Sequence, residues 1–122
     1  MIVAGVGCRR GCTAGDLVAA VRLAERRSGM AAAALAAPRF KSHEAGLRAA
    51  AAELGLPLLL VEDAAMQAAQ PLCPTRSAVA LEATGLASVA EGAALAGSGG
   101  TLLLPRVAVG GATCALAGEA GP

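Results

Sequence analysis

The sequence predicts an α/β fold: one three-layer domain over residues 1–122, with a mostly parallel five-stranded sheet and helices on both faces. Two observations carry this reading. Short apolar runs alternate with longer stretches whose apolar residues recur at helical spacing. Glycine or proline stands at nearly every changeover, where a chain must stop one element and start another.

Ile2 to Val6 is short, β-branched and followed by glycine, which suits a buried first strand. Gly7-Cys8-Arg9-Arg10-Gly11-Cys12 follows as a tight loop. Thr13 then reads as an N-cap, with Asp16 favouring the helix start electrostatically. Leu17, Val18, Val21 and Ala24 share one helical face, Arg22, Glu25 and Arg26 lie elsewhere on the wheel, and Gly29 ends the helix. Met30 to Ala37, a run of small apolar residues stopped at Pro38, is read as the second strand. Glu44 to Leu54 is the second helix, closed by Gly55, and Leu58 to Val61 the third strand. Asp63 to Gln70 reads as a short helix capped by Asp63, and Ser77 to Thr84 as another, closed by Gly85. Ser88-Val89-Ala90-Glu91 has the form of a capping box opening a helix that ends near Gly97. Thr101 to Leu104 is a strand, Pro105 through Gly111 a connecting loop, and Ala112 to Ala117 the last strand. The first three strands, joined by helices, are expected parallel with right-handed crossovers. A hairpin between the last two would make the sheet mixed.

Composition narrows the function. Hydrophobic residues make up 56% of the chain, yet there is one Phe and neither Tyr nor Trp. The core must then rely on Leu, Val and close backbone approach, because alanine buries little area. A formal charge of +1 and the lack of stacking aromatics argue against a nucleic-acid partner. No apolar run approaches the roughly 20 residues of a membrane span, so no membrane partner is expected. The apolar N-terminus lacks a preceding basic region and reads as a strand, which places the protein in the cytoplasm and its four cysteines, Cys8, Cys12, Cys73 and Cys114, as reduced thiols. Cys8 and Cys12 have a spacing compatible with metal binding, but no second pair or nearby His completes a zinc set. Neither a metal nor a cofactor is expected.

The first strand-to-helix turn is the leading site on physical grounds. Ligands of open α/β sheets sit at the carboxyl ends of strands. Glycines let a ligand approach the backbone, amides at a helix start favour an anion, and Arg9 and Arg10 supply fork-shaped donors for carboxylate or phosphate. Gly5-x-Gly7-x-x-x-Gly11 misses the dinucleotide fingerprint by one residue, and no Gly-Lys-Ser/Thr makes it a Walker loop. An ordinary tight turn with two solvated arginines is the plain alternative. Cys8, just after a strand, reads as a small buried filler.

The opening Gly5-Val6-Gly7-Cys8-Arg9-Arg10-Gly11 resembles that of the CobE and CbiG C-terminal family of cobalamin biosynthesis. So do Lys41-Ser42-His43-Glu44-Ala45-Gly46-Leu47, Leu54-Gly55-Leu56-Pro57-Leu58, Gly85-Leu86-Ala87-Ser88-Val89-Ala90-Glu91 and Gly110-Gly111-Ala112-Thr113-Cys114-Ala115. The motifs occur in order over nearly the whole chain. Leu103-Leu104-Pro105-Arg106 departs from the family's Pro-Lys, and Cys12 stands where a Thr, Ser or other small residue is expected.

The resemblance implies a vitamin B12 pathway protein that binds a precorrin or corrin intermediate, a tetrapyrrole bearing several carboxylates. The expected cleft is at the first strand–helix loop, and other enzymes of the pathway are candidate partners. The substrate-binding candidates are Gly7, Cys8, Arg9, Arg10, Gly11, Lys41, Glu44, Ser88, Glu91 and Arg106. Arg9, Arg10, Lys41 and Arg106 would form a cationic rim, each charge-assisted bond contributing about 1.5–3 kcal/mol where desolvated. Free-standing length favours the CobE-like accessory binding role. The alternative is CbiG-like hydrolysis of a precorrin lactone with acetaldehyde release, which needs a base and oxyanion donors. Glu44 and His43 are the catalytic candidates, although an exposed loop histidine and a Glu44–Arg48 helix pair are the plainer readings. Glu91 has a structural role available as partner of Ser88, and Thr113 and Cys114 belong to the packing of the last strand.

Overall fold

A computed structural model describes residues 1–119. The strands are β1 (Ile2–Cys8), β2 (Ala34–Pro38), β3 (Leu58–Val61), β4 (Thr101–Val109) and β5 (Ala112–Gly118). The helices are α1 (Ala14–Ser28), α2 (Ala45–Leu54), α3 (Asp63–Ala69), α4 (Ala78–Thr84) and α5 (Val89–Ser98). They build a single five-stranded sheet in the order β3-β2-β1-β5-β4. β1, β2 and β3 are parallel, whereas β5 runs antiparallel to both β1 and β4. The sheet is therefore mixed, and the last two strands form the hairpin.

Alternation along the strands sorts the core into two layers. Ala4, Val6, Leu35, Ala37, Cys114 and Leu116 face Leu17, Val21, Leu47 and Ala50 of α1 and α2. Val3, Ala34, Ala36, Ala115 and Ala117 face the other way, with α3 and α5. The lack of aromatics is met by close approach. A Cβ on Gly5 would collide with the Ala90 carbonyl and with the Cβ of Ala94, so only glycine lets α5 lie against β1 at that point. Gly29, Gly55 and Gly85 end α1, α2 and α4 in left-handed conformations, as expected.

Several boundaries differ from the sequence reading. Residues 30–33 lie outside β2, which instead continues through Pro38 opposite Val61. Proline's missing donor ends a central strand only where that donor is needed, and here it falls on the last residue. Pro105 does not begin a loop: β4 runs to Val109, with register shifts between Leu102 and Leu104 and between Leu104 and Val107. An edge strand tolerates proline and bulges because one side of its ladder is unpaired. Glu62, not Asp63, occupies the N-cap position of α3. Short 3₁₀ turns at Arg39–Lys41 and Gln70–Leu72 follow β2 and α3. No single helix among the described residues is long and apolar enough to cross a membrane.

Candidate functional site

Two antiparallel steps, β1 to β5 and β5 to β4, return β4 to the direction of β1. The carboxyl ends of β1, β2, β3 and β4 therefore share one edge of the sheet. Every site residue expected from the sequence lies on or close to that edge. Cys8 ends β1, and Arg9, Arg10 and Gly11 form the exposed turn beyond it. Lys41 is in the turn after β2, and Glu44 occupies the N-cap position of α2. Ser88 and Glu91 open α5, and Arg106 lies in β4 beside Val107, which pairs with Cys114 opposite Val6. From β2 to β4 is three strand spacings, about 14 Å at ~4.8 Å each.

The first loop is built rather than loose. Thr13 Oγ1 accepts the Asp16 amide at 3.0 Å, as an N-cap should. The Cys12 amide donates to the Arg9 carbonyl at 2.9 Å, and the Arg9 amide to the Gly111 carbonyl at 3.0 Å. Asp16 does more than favour a helix start: its Oδ2 accepts the Gly111 amide at 3.2 Å and ties the β4–β5 turn to α1. Gly46 of α2 abuts the same loop, since a Cβ there would lie 2.6 Å from the Cys12 carbonyl oxygen. Gly11, at φ 73°, supplies the turn's left-handed residue with open space around it.

Gly7 is buried, and a Cβ on it would meet Thr113 Oγ1 and come within 3.6 Å of Val89 Cβ, so its missing side chain makes room for Thr113. Two expectations at this loop are corrected. Cys8 is half-buried rather than a core filler. It is bonded to Cys12 in a disulfide, with a Cα–Cα distance of 5.8 Å, where reduced thiols were expected. Compartment alone does not decide the state of two cysteines that a strand end and a helix start bring within bonding reach.

The start of α5 is organised by two buried side chains. Gln70 donates from Nε2 to the Met66 and Ser88 carbonyls at 3.0 and 2.9 Å, while its Oε1 accepts the Ser88 amide at 3.0 Å. Glu91 is fully buried, and its carboxylate accepts four hydrogen bonds. Oε1 takes the Thr75 amide and the Ser88 hydroxyl, both at 2.9 Å. Oε2 takes the Thr75 hydroxyl at 2.8 Å and the Arg106 amide at 3.1 Å. The capping box therefore does not form: Ser88 makes no side-chain cap bond to the helix backbone, its hydroxyl going to the Glu91 carboxylate, and its amide goes to Gln70 and not to Glu91. Gln70 and Thr75 escaped the sequence reading. An amide side chain in an apolar stretch just before a proline was the available signal for the first, and nothing marked the second.

Of the catalytic candidates, His43 is exposed, with its Nε2 3.7 Å from Glu44 Oε1. Arg48 does not pair with Glu44; its Nε donates to the Ser42 carbonyl at 3.3 Å. Arg39 and Glu62 form an exposed ion pair bridging the ends of β2 and β3. Arg9, Arg10, Lys41 and Arg106 have no carboxylate partner among the described residues. Burial pushes the Cys73 thiol up, and pushes Cys114 up to about 12. A recess of about 130 Å³ opens between Phe40, Asp63, Gln67, Thr84 and Leu86, and a shallower one of about 400 Å³ beside Glu25, Arg26 and Met30. Neither is lined by the four cations, which stand on an open edge.

A mixed sheet with this strand order, a short cationic turn after β1 and a buried glutamate at the start of α5 make this a small α/β protein, and its family is shown by comparison. The chain belongs to the family described as the cobalamin synthesis G C-terminus, which residues 2–117 match. Protein CobE of a Sinorhizobium species is 32% identical over 124 residues, a match covering 98% of this chain and 80% of that protein. The crystal structure of CobE, a protein from the cobalamin (vitamin B12) biosynthetic pathway, superposes with a TM-score of 0.90 at 37% identity, over 98% of this chain and 91% of the other. The cobalamin biosynthesis protein chiG from Agrobacterium tumefaciens gives 0.79 at 40% identity, over 99% and 100% of the two chains.

Proposed function

We propose that this cobalamin biosynthesis protein of the CobE and CbiG C-terminal type is an accessory that binds a precorrin or corrin intermediate in the cytoplasm. The observation that carries the reading is the placement of Arg9, Arg10, Lys41 and Arg106 along one sheet edge without carboxylate partners among the described residues. A span of about 14 Å between the outer strands that bear them suits a broad, flat polyacid better than a small anion. Guanidinium groups pair with carboxylates in bidentate fashion, and a ligand with acetate and propionate arms offers several. The ligand would lie across the open edge, not in a closed cleft. Ser88 and Glu91 act from beneath as positioning residues, holding the Thr75 segment and the Arg106 backbone. The corrinoid could then be handed to another enzyme of the pathway.

Titration of hydrogenobyrinic acid, followed by its visible spectrum, tests this. Arg9→Ala combined with Lys41→Ala should raise Kd about tenfold or more, equivalent to about 1.4 kcal/mol. Unchanged affinity would remove the edge from the reading.

Lactone hydrolysis is the second reading, and the proximity of His43 to Glu44 is the observation that favours it. Anaerobic incubation with a lactone-bearing precorrin would decide: a new mass formed with turnover, lost in His43→Ala or Glu44→Gln, would make the protein an enzyme.

A further inference from the structure

We infer that Cys8 and Cys12 form a reversible dithiol–disulfide couple whose oxidation state sets the conformation of the turn carrying Arg9 and Arg10. The consequence for ligand affinity rests on the function proposed above. The couple itself does not.

The two residues flank the turn, Cys8 as the last residue of β1 and Cys12 immediately before the N-cap of α1. Both are half-buried, within reach of a small thiol, whereas Cys73 and Cys114 are buried. Their Cα atoms stand 5.8 Å apart, inside the range a disulfide spans without backbone movement. Arg9 and Arg10 lie in the loop between the two cysteines, so a change in the bond is felt directly at the arginines.

In the forward step, the thiolate of one cysteine attacks a low-molecular-weight disulfide, and a thiolate leaves. The second cysteine, losing its proton, attacks the mixed disulfide and releases the second small thiol. Two electrons and two protons pass from the protein to the small disulfide, and one intraprotein S–S bond results.

The bond acts on the turn because it joins the residues on either side of the two arginines. The oxidised turn is pinned at the bonded cysteines, by the Cys12 amide on the Arg9 carbonyl, and by the Arg9 amide on the Gly111 carbonyl. Reduction removes the one covalent tie. Cys12 packs on the β4–β5 turn, 3.4 Å from where a Gly111 Cβ would stand, so movement there is transmitted to the hairpin.

The test uses the whole protein equilibrated in glutathione buffers of graded ratio, quenched with an alkylating agent and read by mass. Cys8 and Cys12 should lose label together along a two-electron curve, with Cys73 and Cys114 unchanged. Amide cross-peaks of Arg9, Arg10, Gly11 and Gly111 should shift over the same range, while Cys12→Ser should form no internal disulfide, Cys8 carrying at most a mixed disulfide with glutathione, and should lack the two-electron curve. In the wild type, mixed disulfides on Cys8 alone, or a coupled titration without shifts at the turn, would overturn the inference. Hydrogenobyrinic acid affinity should differ at least fivefold between the oxidised and reduced wild-type protein and not at all between the same buffers for the Cys8→Ser, Cys12→Ser double variant. Equal affinities in the two wild-type states would overturn the control of binding. A protein that binds no corrinoid in either state, yet shows the titration and the shifts, would sink the ligand reading and uphold the couple.

Discussion

Replacing Glu91 with Gln tests whether the buried carboxylate at the start of α5 is what holds the β4 segment and the 73–77 loop in place. Two donors meet each carboxylate oxygen, and each pair comprises one backbone amide and one hydroxyl: Thr75 N with Ser88 Oγ, and Arg106 N with Thr75 Oγ1. A glutamine keeps one oxygen and turns the other position into a donor. The hydroxyl there can rotate and accept from the new NH₂, but the backbone N–H cannot. In either orientation one amide, of Thr75 or of Arg106, is left facing another donor. An unsatisfied buried donor costs about 1–3 kcal/mol, and the retained bonds weaken as they lose their charge. Relief from burying an unpaired anion offsets part of this, so a net loss of about 2–3 kcal/mol is expected. Guanidinium unfolding should show it as a lower midpoint at unchanged slope. Hydrogen exchange should quicken at Thr75 and Arg106 before it does in β1. A Glu91→Gln protein within about 0.5 kcal/mol of wild type, with those amides still protected, would refute the argument and reduce Glu91 to a space-filler.

Other outcomes follow from the same geometry. Gly5→Ala should destabilise by about 3 kcal/mol or more in thermal or chemical unfolding, because the new methyl meets the backbone of α5, which cannot rotate away as a side chain could. Under oxidising conditions Cys12→Ser should lower stability by about 2 kcal/mol, the loop-closure contribution of a five-residue ring, and by much less once the wild type is reduced. Cys114, raised from 9.0 to about 12 by burial, favours the folded state while protonated. That contribution is intact below pH 9 and is lost as pH climbs from 9 towards 12, at up to about 1.4 kcal/mol per unit. A Cys114→Ala variant should show a shallower alkaline decline in its unfolding free energy, and parallel curves would contradict the burial argument.

The three-layer arrangement was legible because strand and helix periods alternate cleanly and glycines mark the helix ends. Leu17, Val21 and Leu47 face one side of the sheet as their spacing requires. What escaped prediction depends on partners distant in sequence. Nothing local distinguishes Pro105 in a loop from Pro105 on an edge strand; the neighbour, β5, decides. Ser88 and Glu91 satisfy the local pattern of a capping box, yet Gln70 and Thr75, eighteen and sixteen positions away from their partners, claim the same atoms. Gly5 admits a helix and Gly7 makes room for Thr113 of β5, because a strand's close neighbours are invisible until the crossover is placed. The candidate cations were legible as a set through resemblance, and their alignment on one edge follows only from β4 returning to the direction of β1.

That edge also explains how one end of a nearly neutral domain presents unpaired positive charge. Three of the acidic residues at this end are engaged with neighbours other than those cations. Asp16 holds the Gly111 amide, Glu91 spends four bonds on neutral donors, and Glu44 lies beside His43. Had Glu91 reached the Arg106 guanidinium instead of its amide, that side chain would be tied down and its charge cancelled. Capturing the backbone fixes where the arginine stands and leaves its head exposed to solvent. A carboxylate arm of a ligand then competes with water for Arg106, not with a protein carboxylate, and exchanging water costs less than breaking a desolvated ion pair. The arrangement predicts a site whose affinity depends on how many arms engage at once, so amidating the ligand's carboxylates one by one should weaken binding in steps. A single step that removed all binding would mean that one cation, not the edge, makes the site.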